Sequence, residues 1–333
     1  MSAKSANIAL DNMMRTLKRT NLPRLPPAPG FDGDEDFKTQ VEVWKKWIAW
    51  EKDDPLVLKD DEPPAFRQRV LYCYKQALMA LRFWPEIWVD AAAWCLENDV
   101  RDNDGKPVGT DLLLQGIAAN PESVLLALKH ADHIEKNYPE KEGDRSEYAK
   151  AVRQPFDTVL DTLYKMGDKV KEREKFEVST MKQAATLEPP VQESIEDDDD
   201  DDEEVKKPKL SPSEQRILAI QNAYAAESQL LSRTISYVWI AMARAMRRIQ
   251  GKGNQTEGGL RKVFTDARQK GRLTSDVYVA VALLESVVYK DPVGAKIFER
   301  GSRLFPNDEN FMIEYIKYLH ARDDTTSMFP SPL

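Results

Sequence analysis

Three glutamates, Glu51, Glu135 and Glu285, recur at one place in a repeated pattern, seven residues after a bulky anchor. General acid–base catalysis needs two carboxylates converging in a pocket with displaced pKa values. An acid that appears once per repeated unit reads instead as structural, pairing with a base or backbone group of the adjacent helix. His130 and His133, with Asp132 and Glu135 nearby, carry metal-ligating residue types. The His-Glu-x-x-His signature is absent, so a solvated polar helix face is expected there. Gly251–Gly259 is rich in glycine, but a phosphate loop needs Gly-x-x-x-x-Gly-Lys-Ser/Thr after a strand, so that backbone N–H groups cradle phosphate. Here a helix precedes the glycines and Lys252 comes too early. Cys73 and Cys95 form neither a disulfide framework nor a metal-ligand spacing, and a reducing compartment suits them. These residues point to no enzyme, no cofactor and no metal.

The remaining chemistry is charge. From Arg244 to Arg272 stand nine bases: Arg244, Arg247, Arg248, Lys252, Arg261, Lys262, Arg268, Lys270 and Arg272. Only Glu257 and Asp266 oppose them. Such a stretch fits a solvated surface, an acidic protein partner, or RNA bound through counterion release. Aromatic platforms for stacking bases are not interleaved with it, apart from Phe264 at a core-type position. Lys206, Lys207 and Lys209 form a candidate nuclear localisation signal. They follow a run of nine acids, Glu196–Glu204, that accounts for the formal net charge of −8. Without that run, 47 acids face 48 bases across the 333 residues. A like-charged run of this length repels itself and is expected to be disordered.

These residues must be positioned by helices. Glycine is scarce, 14 in all, and no hairpin signals punctuate alternating apolar runs. The chain therefore reads as all-α. Its longest apolar stretch, Val277–Tyr289, is too short for a bilayer and contains Glu285. No basic and apolar leader opens the chain, so secretion is not expected. Trp44, Trp47 and Glu51 share one helix face, and Tyr278, Val281 and Glu285 repeat that spacing, as do Leu128, Ala131 and Glu135. Trp88 with Ala91, and Trp239 with Met242, keep the apolar positions. A second pattern, a bulky residue with a small one three later, follows as Tyr74/Ala77, Phe264/Ala267 and Phe298/Gly301. The small residue makes a notch for close helix packing. Anchors at Trp44, Trp88 and Leu128 are 44 and 40 residues apart, and Trp239 and Tyr278 are 39 apart, which suits stacked helix pairs. Between Leu128 and Trp239 an insertion is expected. One helix carries Phe156–Val170, and a second is started by a capping box at Ser211 and Glu214. Six of the seven tryptophans fall between Trp44 and Trp94, and their spacing favours core packing over a ligand cage.

The run Trp44, Trp47, Trp50, Glu51, with its Phe/Tyr-x-x-Ala/Gly second helices, resembles half-a-TPR (HAT) repeats of RNA-processing scaffolds. The segments 44–51, 72–78, 85–88, 276–285 and 296–301 together are similar to the large HAT scaffold subunits of cleavage stimulation factor, called cleavage factor I in fungi. The acidic insertion resembles the fungal forms. The resemblance covers roughly residues 20 to 320 and matches the middle of the family protein. It implies an α-α superhelix and a non-catalytic scaffold in pre-mRNA 3′-end cleavage and polyadenylation. The implied setting is the nucleus, with the cytoplasm as a second compartment and no membrane. Implied partners are other cleavage and polyadenylation subunits, an RNA-recognising subunit and a second copy of the chain, with RNA held indirectly or weakly. The family's last repeats are expected to lie outside this chain, which leaves dimerisation open. The expected organisation is an N-terminal segment with a Pro-rich linker over 1–37, repeats with an extended helix over 38–176, a disordered acidic insertion over 177–210, and C-terminal-block repeats over 211–333.

Overall fold

The computed structural model describes residues 3–17, 31–138, 145–187, 211–254 and 258–322. Among them are twelve α-helices and one π-helical turn, and the only strand-like feature is an isolated antiparallel bridge between Arg101 and Pro107. The chain divides into two compact units, Met1–Val159 and Leu160–Leu333.

The first unit contains α1 (Ala3–Thr16), α2 (Asp34–Lys52), α3 (Pro63–Ala80), α4 (Pro85–Glu97), α5 (Val108–Ala119), α6 (Val124–Asn137) and the start of α7 (Arg145–Leu187). Local chemistry sets the helix starts. Asp34, Glu35 and Asp36 oppose the positive end of the α2 dipole, and Pro63 and Pro85 occupy opening positions where their missing N–H costs nothing. From α1 to α6 each helix packs on the next, and α4 also touches α6. Trp44, Trp47, Tyr74, Ala77 and Trp88 lie in one continuous core, with Trp50 half-buried at its edge. Trp44 and Trp47 stack with ring centroids 5.4 Å apart. Gly116 of α5 backs onto Trp88: a methyl added there would lie 2.9 Å from the Trp88 Cβ.

The second unit takes the rest of α7, then α8 (Pro212–Gln250), α9 (Gly259–Lys270), α10 (Ser275–Leu283), the π-turn (Leu284–Val288), α11 (Val293–Leu304) and α12 (Glu309–Ala321). Here alternate helices stack: α8 touches α10, and α10 touches α12, while α9 and α11 complete the pairs. Ser211 accepts from the Glu214 amide and the Glu214 carboxylate accepts from the Ser211 amide, so a full capping box opens α8. The Asp308 carboxylate caps α12 through the Phe311 amide and accepts from the Ser275 hydroxyl at 2.6 Å, tying the starts of α10 and α12 together.

Three features differ from the sequence expectation. Helix α7 continues to Leu187, past the limit at Glu177, and it contains Pro155, which supplies no amide hydrogen to the ladder. Leu284–Val288 is a π-turn inside a stretch that reads as regular helix. Residues 100–108 form a small hairpin in which the Asp102 carboxylate accepts from the amides of Asp104 and Lys106, and Gly105 turns with φ 77°. The acidic run, Lys206, Lys207 and Lys209, and the Pro-rich residues 22–30 lie outside the described residues.

Candidate protein-interaction surface

Two of the three repeated glutamates are locked by their side chains to neighbouring helices. Glu51, buried at the end of α2, accepts from Arg69 of α3 at 3.1 and 3.2 Å and from the Trp47 indole at 3.4 Å. Glu285, fully buried in the π-turn, receives the Arg261 guanidinium of α9 in a two-pronged pair at 2.7 and 2.9 Å. Arg261 reaches on to Asp291 at 3.1 Å, and Asp291 also pairs with Lys252. The Lys252 ammonium, with the Val293 amide and Arg261, holds the Asp291 carboxyl down at about 2. Glu135 lies on a different helix, α6, where its carbonyl accepts from the Tyr148 hydroxyl.

The bulky-and-small pairs sit at helix seams. Tyr74 and Ala77 are buried on α3, and the Tyr74 hydroxyl donates to Asp90 of α4 at 2.6 Å. Phe264 and Ala267 lie on α9, where Phe264 meets Tyr278 edge-on at 5.3 Å. Phe298 of α11 stacks on Tyr318 of α12 at 4.6 Å, and Gly301 receives Phe311: a Cβ there would lie 2.4 Å from the Phe311 ring. The Trp239 indole of α8 donates to the Tyr164 hydroxyl of α7 at 3.1 Å.

The basic stretch is dispersed by helix geometry. Lys252 and Arg261 serve Asp291 and Glu285, and Lys262 pairs with Asp266 on its own helix. Arg272 donates to Asp168 at 2.7 Å and to the Tyr164 carbonyl at 3.2 Å, and Lys270 meets Asp161 at 3.4 Å, so both are committed to α7. Gly167 makes room for Arg272, since a Cβ there would lie 2.1 Å from its guanidinium. Arg244 and Arg248 are exposed on α8, Arg247 is half-buried beside them, and Arg268 lies over the Phe264 ring. The nine bases therefore do not form one face.

A different basic surface comes into view in the second unit. A cleft of about 540 Å³ lies between α9, the π-turn and α11, lined by Arg261, Arg268, Lys296 and Arg300 over Phe264 and Tyr278. Lys296 and Arg300 were missed because the stretch was counted along the chain and ended at Arg272. Their spacing of four residues on α11 places them on one face and was the available signal.

His133 is held inside the first unit: its Nε2 lies 3.0 Å from the Thr110 hydroxyl and its Nδ1 lies 3.1 Å from the Asn137 amide. Burial pushes both His130 and His133 below the usual histidine range. The His133 charge adds to the effect on His130, and Lys136 adds to that on His133. Among the described residues no cluster of three metal-ligating side chains occurs, and no helix is long and apolar enough to cross a membrane. Around the glycine-rich connection, Gly259 donates to the Gln250 side chain, and the amides of Leu260 and Arg261 donate to the carbonyls of Gly251 and Lys252. Those N–H groups are occupied by the chain itself.

Comparison with known proteins adds an independent finding. A family model described as Suppressor of forked protein (Suf) matches residues 1–329, a wider span than the residues 20 to 320 expected from the motifs. The mRNA 3′-end-processing protein RNA14 of Gibberella zeae is 78% identical over 327 residues, a match covering 98% of this chain and 32% of that protein. The mRNA 3′-end-processing protein rna-14 of Neurospora crassa is 57% identical over 340 residues, covering 98% of this chain and 28% of that protein. RNA14 of Yarrowia lipolytica is 30% identical over 327 residues, covering 98% and 32%. The chain thus spans about a third of the length of the curated relatives it matches.

Proposed function

The chain belongs to the suppressor of forked family, and on that footing we propose that it acts in mRNA 3′-end processing as a non-catalytic scaffold for pre-mRNA cleavage and polyadenylation. The observation that carries the scaffold role is the interlocking of successive helices. Glu51 with Arg69 and Glu285 with Arg261 are buried or half-buried ion pairs whose two halves come from different helices. A carboxylate held by a two-pronged guanidinium has its lone pairs spent on structure and is poorly placed to move protons. Rigid stacks of helix pairs offer long surfaces on which several partners sit at fixed separation. The names of the relatives place those proteins in 3′-end processing, which supports the same process for this chain.

In this reading the chain comprises an N-terminal segment over 1–37, a repeat block over 38–176, an acidic insertion over 177–210 and a second repeat block over 211–333. Its partners are other subunits of the cleavage and polyadenylation machinery, including an RNA-recognising subunit. It works in the nucleus, with Lys206, Lys207 and Lys209 as the import signal. The test is affinity purification of the tagged chain from a fungal nuclear extract, followed by mass spectrometry. Recovery of cleavage and polyadenylation subunits is the expected result. Their absence, with the chain shown to be folded by circular dichroism, would overturn the reading.

A further inference from the structure

The cleft between α9, the π-turn and α11 combines features that select a ligand. Four bases line it, Arg261, Arg268, Lys296 and Arg300, against one acid, Glu285. Glu285 is already neutralised by Arg261. The three remaining cations make no ion pair with any described carboxylate, and they come from two helices facing one space. Arg268 is fixed over the Phe264 ring, 5.4 Å from its centroid, which orders the guanidinium before anything binds. Val293 and Ile297 add an apolar strip to the same cleft.

A site with ordered cations and an apolar strip fits a chain that alternates carboxylates with apolar side chains. It does not fit single-stranded RNA, which needs open aromatic faces for stacking. Phe264 is covered by Arg268 and meets Tyr278 edge-on, and both rings are buried. We propose that this cleft is a docking site for an acidic, apolar-interspersed peptide segment of a partner protein, gripped by Arg268, Lys296 and Arg300. The site stands on its own residues and does not depend on the scaffold role above.

The test uses the full chain and three fluorescein-labelled probes: a peptide of alternating Glu and Leu, its Gln and Leu counterpart, and an oligouridylate. Anisotropy should show the acidic peptide binding, weakening as salt rises, and binding at least about tenfold better than the neutral peptide. The double substitution Lys296→Glu, Arg300→Glu should lose at least about tenfold. Arg244→Glu, Arg248→Glu, exposed on α8 away from the cleft, should change little. Unfolding curves of both double variants keep a loss of binding distinct from a loss of fold, because all four residues are exposed. Equal binding by wild type and Lys296→Glu, Arg300→Glu would overturn the proposal. So would oligouridylate binding that shows the same dependence on Lys296 and Arg300. Replacing Glu196–Glu204 by Gly and Ser should leave the peptide affinity unchanged; a rise would assign the cleft to the chain's own acidic run and overturn a partner as its occupant.

Discussion

The Glu285 carboxylate sits at a position with no exposure, and the Arg261 guanidinium, which it shares with Asp291, is what makes that tolerable. Removing one half of such a pair leaves the other uncompensated in a poor solvent. Glu285→Gln should therefore destabilise the second unit by about 3 kcal/mol. Glu51→Gln should cost less, about 1–2 kcal/mol, because its bonds to Arg69 are longer, 3.1 and 3.2 Å against 2.7 and 2.9 Å for Glu285 with Arg261. Equilibrium denaturation of the two variants checks this, and a cost for Glu285→Gln below that for Glu51→Gln would contradict it. The acids were visible in the sequence because they keep a fixed spacing from their anchors. Their partners were not, because Arg69 and Arg261 lie 18 and 24 residues from their acids on other helices, and no spacing rule connects them. The same reasoning explains Asp291, which becomes a hub between Lys252 and Arg261 only once α9 and the π-turn pack together.

Between helices, what matters is how closely they approach, and at Gly301 of α11 a Cβ would lie only 2.4 Å from the Phe311 ring of α12. Phe311 of α12 fills the space that a side chain at Gly301 would need. Gly301→Val should force α12 outward and cost about 1–3 kcal/mol, with faster amide exchange across α12. An exchange profile unchanged at Phe311 and Tyr318 would show that the notch is not required. The pairing of a bulky residue with a small one was legible as a pattern, since it follows helical spacing. The dispersal of the basic stretch was not. Five of the nine bases, Lys252, Arg261, Lys262, Lys270 and Arg272, became separate pairs with α7, with the π-turn and Asp291, or with their own helix, because a helix turns successive residues through about 100°. The hairpin at residues 100–108 had a signal in Asp104 and Gly105, but the flanking segments are too short and irregular to read as strands. The π-turn had none, since one extra residue per turn leaves no mark in composition.

Across the whole chain, the two units differ in what they report. Six of the seven tryptophans belong to the first unit, so intrinsic fluorescence follows that unit. It also holds His130 and His133, both with pKa values lowered by burial. A histidine whose folded pKa lies below its unfolded value of about 6.5 binds protons more readily when unfolded. Its contribution is present above that value and is lost as pH falls through the folded one. The fluorescence midpoint in denaturant should thus drop between pH 7 and pH 5, and His133→Gln should remove part of the drop; a midpoint flat over that range would refute the assignment. The all-α class and the alternation of anchors and notches were readable from the sequence, while the length of α7 was not, since its later residues are helical without a buried face. In the second unit, α8 touches α10 and α10 touches α12, so each seam is settled by residues from adjoining helix pairs. At the level of the gene, this makes a helix pair a transferable unit. Duplication or loss of one pair asks for a new match at a single seam, leaving selection free to change the length of the array while the older seams keep their sequences.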